Sequence, residues 1–148
     1  MHATQASIPD APRRRVLAVD DCATMRLLLQ AALEAHGYSV QVVDSGQAAL
    51  QAAGDGPFDA IVLDIEMPGL DGMAVGRALR QHPLTASTLI ALHTSLQEAD
   101  VRPGFDQYDD FVPKLPGRAG LLGLGARLHS LIQARQRPAA ALSSADER

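Results

Sequence analysis

The sequence predicts an α/β protein built on a doubly wound parallel sheet with helices on both faces. Short, continuous apolar runs alternate with longer segments whose apolar residues recur at three- and four-residue steps, the patterns of buried strands and amphipathic helices. Several apolar runs also end abruptly in a carboxylate, a hydroxyl or a lysine. A parallel sheet delivers such residues to its carboxyl edge, where open α/β folds bind ligands. The 148 residues suffice for one domain whose core needs neither disulfides nor a structural metal.

Met1 to Pro12 is small, polar and aperiodic, and reads as a flexible tail. Val16 to Val19 is the first strand and ends in Asp20 and Asp21. From Thr24 the period becomes helical, with Met25, Leu28, Leu29, Ala32, Leu33 and Ala35 on one stripe and Gly37 at the stop. Tyr38 to Val43 is the second strand, and Ser45 opens a helix through Ala53 that Gly54-Asp55-Gly56-Pro57 closes. Ala60 to Leu63 is the central strand, followed by Asp64 and by turns at Met67-Pro68-Gly69 and Asp71-Gly72. A helix over Met73 to Gln81 stops at His82-Pro83. Thr88 to His93 is the fourth strand and delivers Thr94 and Ser95; Asp110 to Pro113 is a short fifth and delivers Lys114. The last helix runs from Ala119 to Ala134, with Leu121, Leu124, Leu128, Leu131 and Ile132 on one face. Its Gly120, Gly123 and Gly125 each cost about 1 kcal/mol relative to alanine in a helix interior. Residues 135–148 read as a second flexible tail.

Composition narrows the function classes. With no Trp, two Tyr and three Phe there is little to stack on bases, and a formal charge of −4 repels phosphate backbones, so no nucleic-acid partner is expected. Arg13-Arg14-Arg15 precedes only four apolar residues, too few for a signal-peptide core, and no run approaches a membrane span. The single Cys22 makes no internal disulfide. The expectation is a cytoplasmic protein with no membrane partner, a monomer or weak dimer.

In the predicted sheet Asp20, Asp21, Asp64, Thr94 and Lys114 converge at one edge near a topological switch point. Three crowded carboxylates coexist at neutral pH only if a cation neutralises them or one keeps its proton. Mg²⁺ is the simpler answer, because it takes oxygen ligands and uses one or two carboxylates together with phosphate oxygens. A lysine and a hydroxyl opposite suit a phosphoryl group, and a carboxylate so placed can itself attack phosphorus. Singly, each residue has a plainer reading: Asp21 as a helix cap, Lys114 as a surface lysine, Thr94 as a hydroxyl satisfied by backbone. His93 and Cys22 read as local packing, Asp109-Asp110 as loop solvation, Asp71 as a turn residue and Arg13 to Arg15 as a solvated flank. Five matching residue types at strand ends are hard to explain by capping alone.

Taken together, Asp20-Asp21, Val62-Leu63-Asp64 with Met67-Pro68-Gly69-Leu70-Asp71-Gly72, Thr94-Ser95 and Phe111-Val112-Pro113-Lys114 resemble the receiver domains of two-component response regulators, over roughly Arg15 to Ala134. The resemblance implies a flavodoxin-like (βα)5 fold with five parallel strands in the order 2-1-3-4-5, occupying residues 13–134. It implies that Asp64 accepts a phosphoryl group from a histidine kinase or a histidine phosphotransfer protein. Asp20, Asp21 and Asp64 would hold Mg²⁺ with the Glu66 backbone carbonyl, and Thr94 and Lys114 would bind phosphoryl oxygens. Phe111 would change rotamer as Thr94 moves. Glu66 and Leu96 fall where the family tunes phosphoryl lifetime.

The sequence also departs from the family pattern. Leu115 stands between Lys114 and Pro116 where proline usually follows the lysine directly. Pro103-Gly104 interrupts the segment that is normally a helix of several turns, so the fourth helix is expected to be short or irregular. The resulting expectation is a stand-alone, chemotaxis-regulator-like receiver that signals to an unknown output protein by contact, or passes phosphate on in a relay. A phosphorylation-independent adaptor of the same fold is the first alternative. An aspartate-nucleophile phosphatase is the second, although Glu66 then stands where such enzymes want a second aspartate as general acid.

Overall fold

The computed structural model of the protein describes residues 13–69 and 71–135. Both predicted tails, apart from Arg135, lie outside the described residues, as does Leu70. The elements alternate strictly: β1 (Arg15–Val19), α1 (Ala23–Glu34), β2 (Ser39–Val43), α2 (Gly46–Gly54), β3 (Ala60–Leu63), α3 (Gly72–Gln81), β4 (Leu89–Thr94), α4 (Glu98–Val101), β5 (Asp110–Pro113) and α5 (Arg118–Arg135). All pairings are parallel and the sheet order is β2-β1-β3-β4-β5, as expected.

Side chains alternate across a strand, so each central strand feeds two cores. Leu17, Val19, Ile61, Leu63, Ile90 and Leu92 face α2 and α3 and pack with Ala49, Ala53, Val75 and Leu79. Val16, Ala18, Ala60, Val62 and Ala91 face the other way, against Leu29 and Leu33 of α1 and Leu124, Leu128 and Ile132 of α5. This double burial explains why β3 reads as an unbroken apolar run rather than an alternating one.

The order of the strands creates the site. From β1 the chain first crosses to β2 on one side and then returns to β3 on the other, so the switch point lies between β1 and β3. Their register pairs Val19 with Leu63, which makes Asp20 and Asp64 neighbours at the carboxyl edge.

Beyond β4 the chain departs from regular α/β form. α4 is four residues long, and the amides of Gly104 and Phe105 both return to the Val101 carbonyl to end it. The loop to β5 is fastened to α3 instead: Arg77 bonds the Gly104 carbonyl and Arg80 the Gln107 carbonyl at 2.8 Å. Phe105 fills the gap left by the missing turns, its ring so close to Gly76 that a β-carbon there would lie 2.8 Å away.

Some plain readings of acidic and basic residues need correction. Asp109 and Asp110 are more than loop solvation: both carboxylates make structural bonds, although Asp109 remains exposed. Asp109 accepts the Ile90 amide at 2.9 Å and pairs with Arg80 at 3.0 Å, and Asp110 pairs with Arg127 of α5. Arg15 belongs to β1, its guanidinium 4.3 Å above the Phe58 ring and its amide on the Asp59 carboxylate. Asp71, by contrast, is the turn residue expected, its carboxylate accepting the Met73 amide two residues on at 3.1 Å and so also capping α3.

Candidate functional site

Asp20 is buried, and nearly all its polar atoms are committed. Its amide donates to the Val43 carbonyl at 3.1 Å, its Oδ1 accepts the Cys22 amide at 2.9 Å, and its carbonyl accepts the Arg26 guanidinium at 2.9 Å. Oδ2 alone has no hydrogen bond, although Lys114 Nζ lies 3.1 Å away as a charge partner out of hydrogen-bond alignment. Asp21 next to it is exposed and does not cap α1, whose N-cap is Cys22.

Asp64 is built the same way on the adjacent strand. Its amide donates to the Val19 carbonyl at 3.0 Å, Oδ1 accepts the Glu66 amide at 3.0 Å, and Oδ2 accepts Lys114 Nζ at 3.1 Å. The loop that follows can return under the strand because Gly72 lies against the Ile65 backbone, where a β-carbon would fall 2.5 Å from Ile65 Cα. Any larger residue would push α3 off the sheet.

Lys114 reaches across from β5, two strands from β3, and its amide donates to the Thr94 carbonyl at 2.8 Å. The structure therefore brings Asp20, Asp64 and Lys114 into direct contact, with Asp21 beside them. Thr94 is fully buried at the same edge, but its hydroxyl accepts the Leu96 amide at 3.1 Å and makes no hydrogen bond to Asp64 or Lys114. Phe111 pairs in register with Leu92, is half-buried, and tilts against Tyr108 with ring centroids 5.8 Å apart. The Glu66 carboxylate accepts the Ser95 hydroxyl across the mouth of the site, a contact the sequence did not indicate.

The electrostatics are those of an under-neutralised pocket. Burial pushes the Asp64 carboxyl up to about 6. The Glu66 amide and the Lys114 ammonium pull it down, and the Asp20 charge pushes it up again. Burial alone would lower the Lys114 ammonium, but the two carboxylates outweigh it and hold it above its ordinary value. His93, buried one residue before Thr94, is driven down to about 4 by burial, with the Lys114 charge acting in the same direction. It is therefore neutral at physiological pH, and its Nδ1 has no partner.

Oxygens of Asp20, Asp21 and Asp64 lie within 4.8 Å of one another. Three carboxylates facing one ammonium, with one buried oxygen lacking any hydrogen bond, form an oxygen donor set that fits a hard divalent cation such as Mg²⁺.

A flavodoxin-like sheet with an acidic, lysine-bearing pocket at its switch point defines the class of this protein. Within that class the chain belongs to the response regulator receiver domain family, whose pattern matches residues 16–121. It is 39% identical over 103 residues to the sensor histidine kinase GacS of Pseudomonas protegens, a match covering 64% of this chain and 11% of that protein. The chain spans about a tenth to a half of the length of the curated relatives it resembles. Among solved structures it is similar to the chemotaxis response regulator CheY4 of Vibrio cholerae, with a TM-score of 0.70 and 26% identity, covering 78% of this chain and 98% of that one. It is also similar to the response regulator TrrA of Thermotoga maritima, solved in complex with Mg²⁺ and BeF, with a TM-score of 0.65, 30% identity and the same coverage. Among the described residues no helix is long and apolar enough to cross a membrane.

Proposed function

We propose that the protein accepts a phosphoryl group on Asp64 from a histidine kinase or a histidine phosphotransfer protein, in a Mg²⁺-dependent reaction, and signals through the resulting aspartyl-phosphate. The observation that carries this reading is the buried Asp64 carboxylate held at 3.1 Å by Lys114 Nζ beside a second buried carboxylate. An Asp64 oxygen attacks phosphorus as the donor's P–N bond breaks, and the electron pair leaves with the donor nitrogen. Mg²⁺, held by Asp20, Asp21, Asp64 and the Glu66 carbonyl, would offset the charge carried by the phosphoryl oxygens.

Lys114 already lies on the Asp64 oxygen at 3.1 Å, and in this reading it follows the charge onto the phosphoryl group as a point cation. The Thr94 hydroxyl accepts the Leu96 amide and keeps its own O–H to donate to a phosphoryl oxygen. Movement of Thr94 toward that oxygen is the local event that Phe111 and Tyr108 would sense. The likeness to CheY4, nearly all of whose chain is covered, supports output by protein–protein contact or by onward relay.

The test is intact-protein mass after incubation with acetyl phosphate, with and without Mg²⁺. A single phosphoryl adduct is expected that requires Mg²⁺ and disappears in Asp64→Asn. No adduct, together with no beryllofluoride binding, would overturn the reading and leave the phosphorylation-independent adaptor in its place.

A further inference from the structure

Arg26 lies one turn into α1 and is partly buried. Its guanidinium makes no ion pair among the described residues, although three carboxylates stand at the adjacent strand end. It donates instead to the backbone carbonyl of Asp20 at 2.9 Å. A cation beside an acidic pocket, bonded to backbone rather than to a carboxylate, fixes the pocket's frame in addition to lending it charge.

The frame is what Asp20 needs. With its amide on Val43, its Oδ1 on the Cys22 amide and its carbonyl on Arg26, a single polar atom, Oδ2, is left without a hydrogen bond. Cys22 and Arg26 sit at the start of the same helix, and the Arg26 amide also closes onto the Cys22 carbonyl at 2.9 Å. The helix therefore grips Asp20 at two points, through its first backbone amide and through one long side chain. We infer that Arg26 is a positioning residue for the divalent cation, holding the Asp20 carbonyl so that the Asp20 carboxylate stays in the cluster it forms with Asp21 and Asp64. This rests on the reading of Asp20, Asp21 and Asp64 as the cation's ligands.

The inference has an unusual sign. Removing a positive charge near a cation site should tighten cation binding if charge alone mattered. Loss of the clamp should weaken it, because the ligand then has to be ordered on binding. Arg26→Lys separates the two effects further. It keeps the charge, but its side chain is one bond shorter than arginine's terminal nitrogen and gives up the planar fork.

The experiment is Mg²⁺ titration of the unphosphorylated protein by calorimetry, with amide hydrogen exchange at Cys22, whose amide is bonded to Asp20 Oδ1, read in metal-free protein. Arg26→Lys and Arg26→Ala are both expected to weaken Mg²⁺ binding by about threefold or more and to speed exchange at that amide. Tighter binding in Arg26→Ala, or unchanged binding in Arg26→Lys, would overturn the inference. If Arg26→Ala does not fold, Arg26→Lys alone decides, since its charge is that of the wild type. Failure of the wild type itself to bind Mg²⁺ would instead overturn the proposed function.

Discussion

Two groups of charged side chains in this molecule are built on opposite principles. Arg80 is almost buried, with its side chain 13% exposed, and it is saturated. It donates to the carbonyls of Gln107, Thr85, Ala86 and Thr88 and pairs with Asp109. The pocket at the switch point is the reverse, because Asp20 and Asp64 share the Lys114 ammonium at 3.1 Å each while the Asp21 carboxylate stands beside them without it. A saturated cation is structural, since nothing remains for a ligand to satisfy. An under-neutralised carboxylate cluster holds free energy that a bound cation can release.

The contrast is sharpest if the two sites fail differently. Arg80→Ala leaves the carbonyls of buried Thr85 and Thr88 and the Asp109 carboxylate short of a donor, and should cost on the order of 3 to 4 kcal/mol in chemical denaturation. Mg²⁺ affinity should be unchanged in the same variant, because Arg80 does not touch the pocket. A large change in Mg²⁺ affinity would mean that the loop held by Arg80 and the acidic pocket form one unit.

His93 tests the pocket side through pH. It titrates at about 4 in the fold and about 6.5 in the unfolded chain, so below pH 6.5 the unfolded state binds the extra proton. The stability contributed by its neutral burial is therefore complete above pH 6.5 and declines as pH falls toward 4, by at most about 3 kcal/mol. His93→Leu should flatten the difference in denaturation midpoint between pH 7 and pH 5. An unaltered slope would show that His93 charges inside the fold.

Much of this was legible in the sequence. β3 and its terminal Asp64 could be read because a strand buried on both faces has a continuous apolar pattern that ends where the core ends. The short α4 followed from Pro103-Gly104, since proline removes a donor and glycine frees the chain to turn. Asp109, Asp110, Arg80 and Arg26 were not legible, because a charged residue bonded to backbone or to a side chain elsewhere in the chain looks in sequence like any solvated one. The three glycines of α5 were only half legible. They count against helix formation by propensity, yet the structure separates them by neighbourhood. Gly120 faces the Leu115 carbonyl, where a β-carbon would sit at 2.9 Å, while Gly123 faces open space.

That separation gives the smallest prediction. Gly123→Ala should stabilise the protein by about 1 kcal/mol, whereas Gly120→Ala should destabilise it, both read from thermal or urea unfolding. Equal effects of the same sign would mean that α5 does not rest on the Leu115 turn as described.

The most direct test of the contrast is the thermal unfolding midpoint with and without saturating Mg²⁺, measured for wild type, Asp20→Asn and Arg80→Ala. A ligand that binds only the folded state raises its midpoint. The wild type and Arg80→Ala should show the same upward shift, the latter from a lower starting point, while Asp20→Asn should lose most of it. No shift in the wild type, or a full shift in Asp20→Asn, would contradict the account of the switch-point pocket as a site completed by a divalent cation.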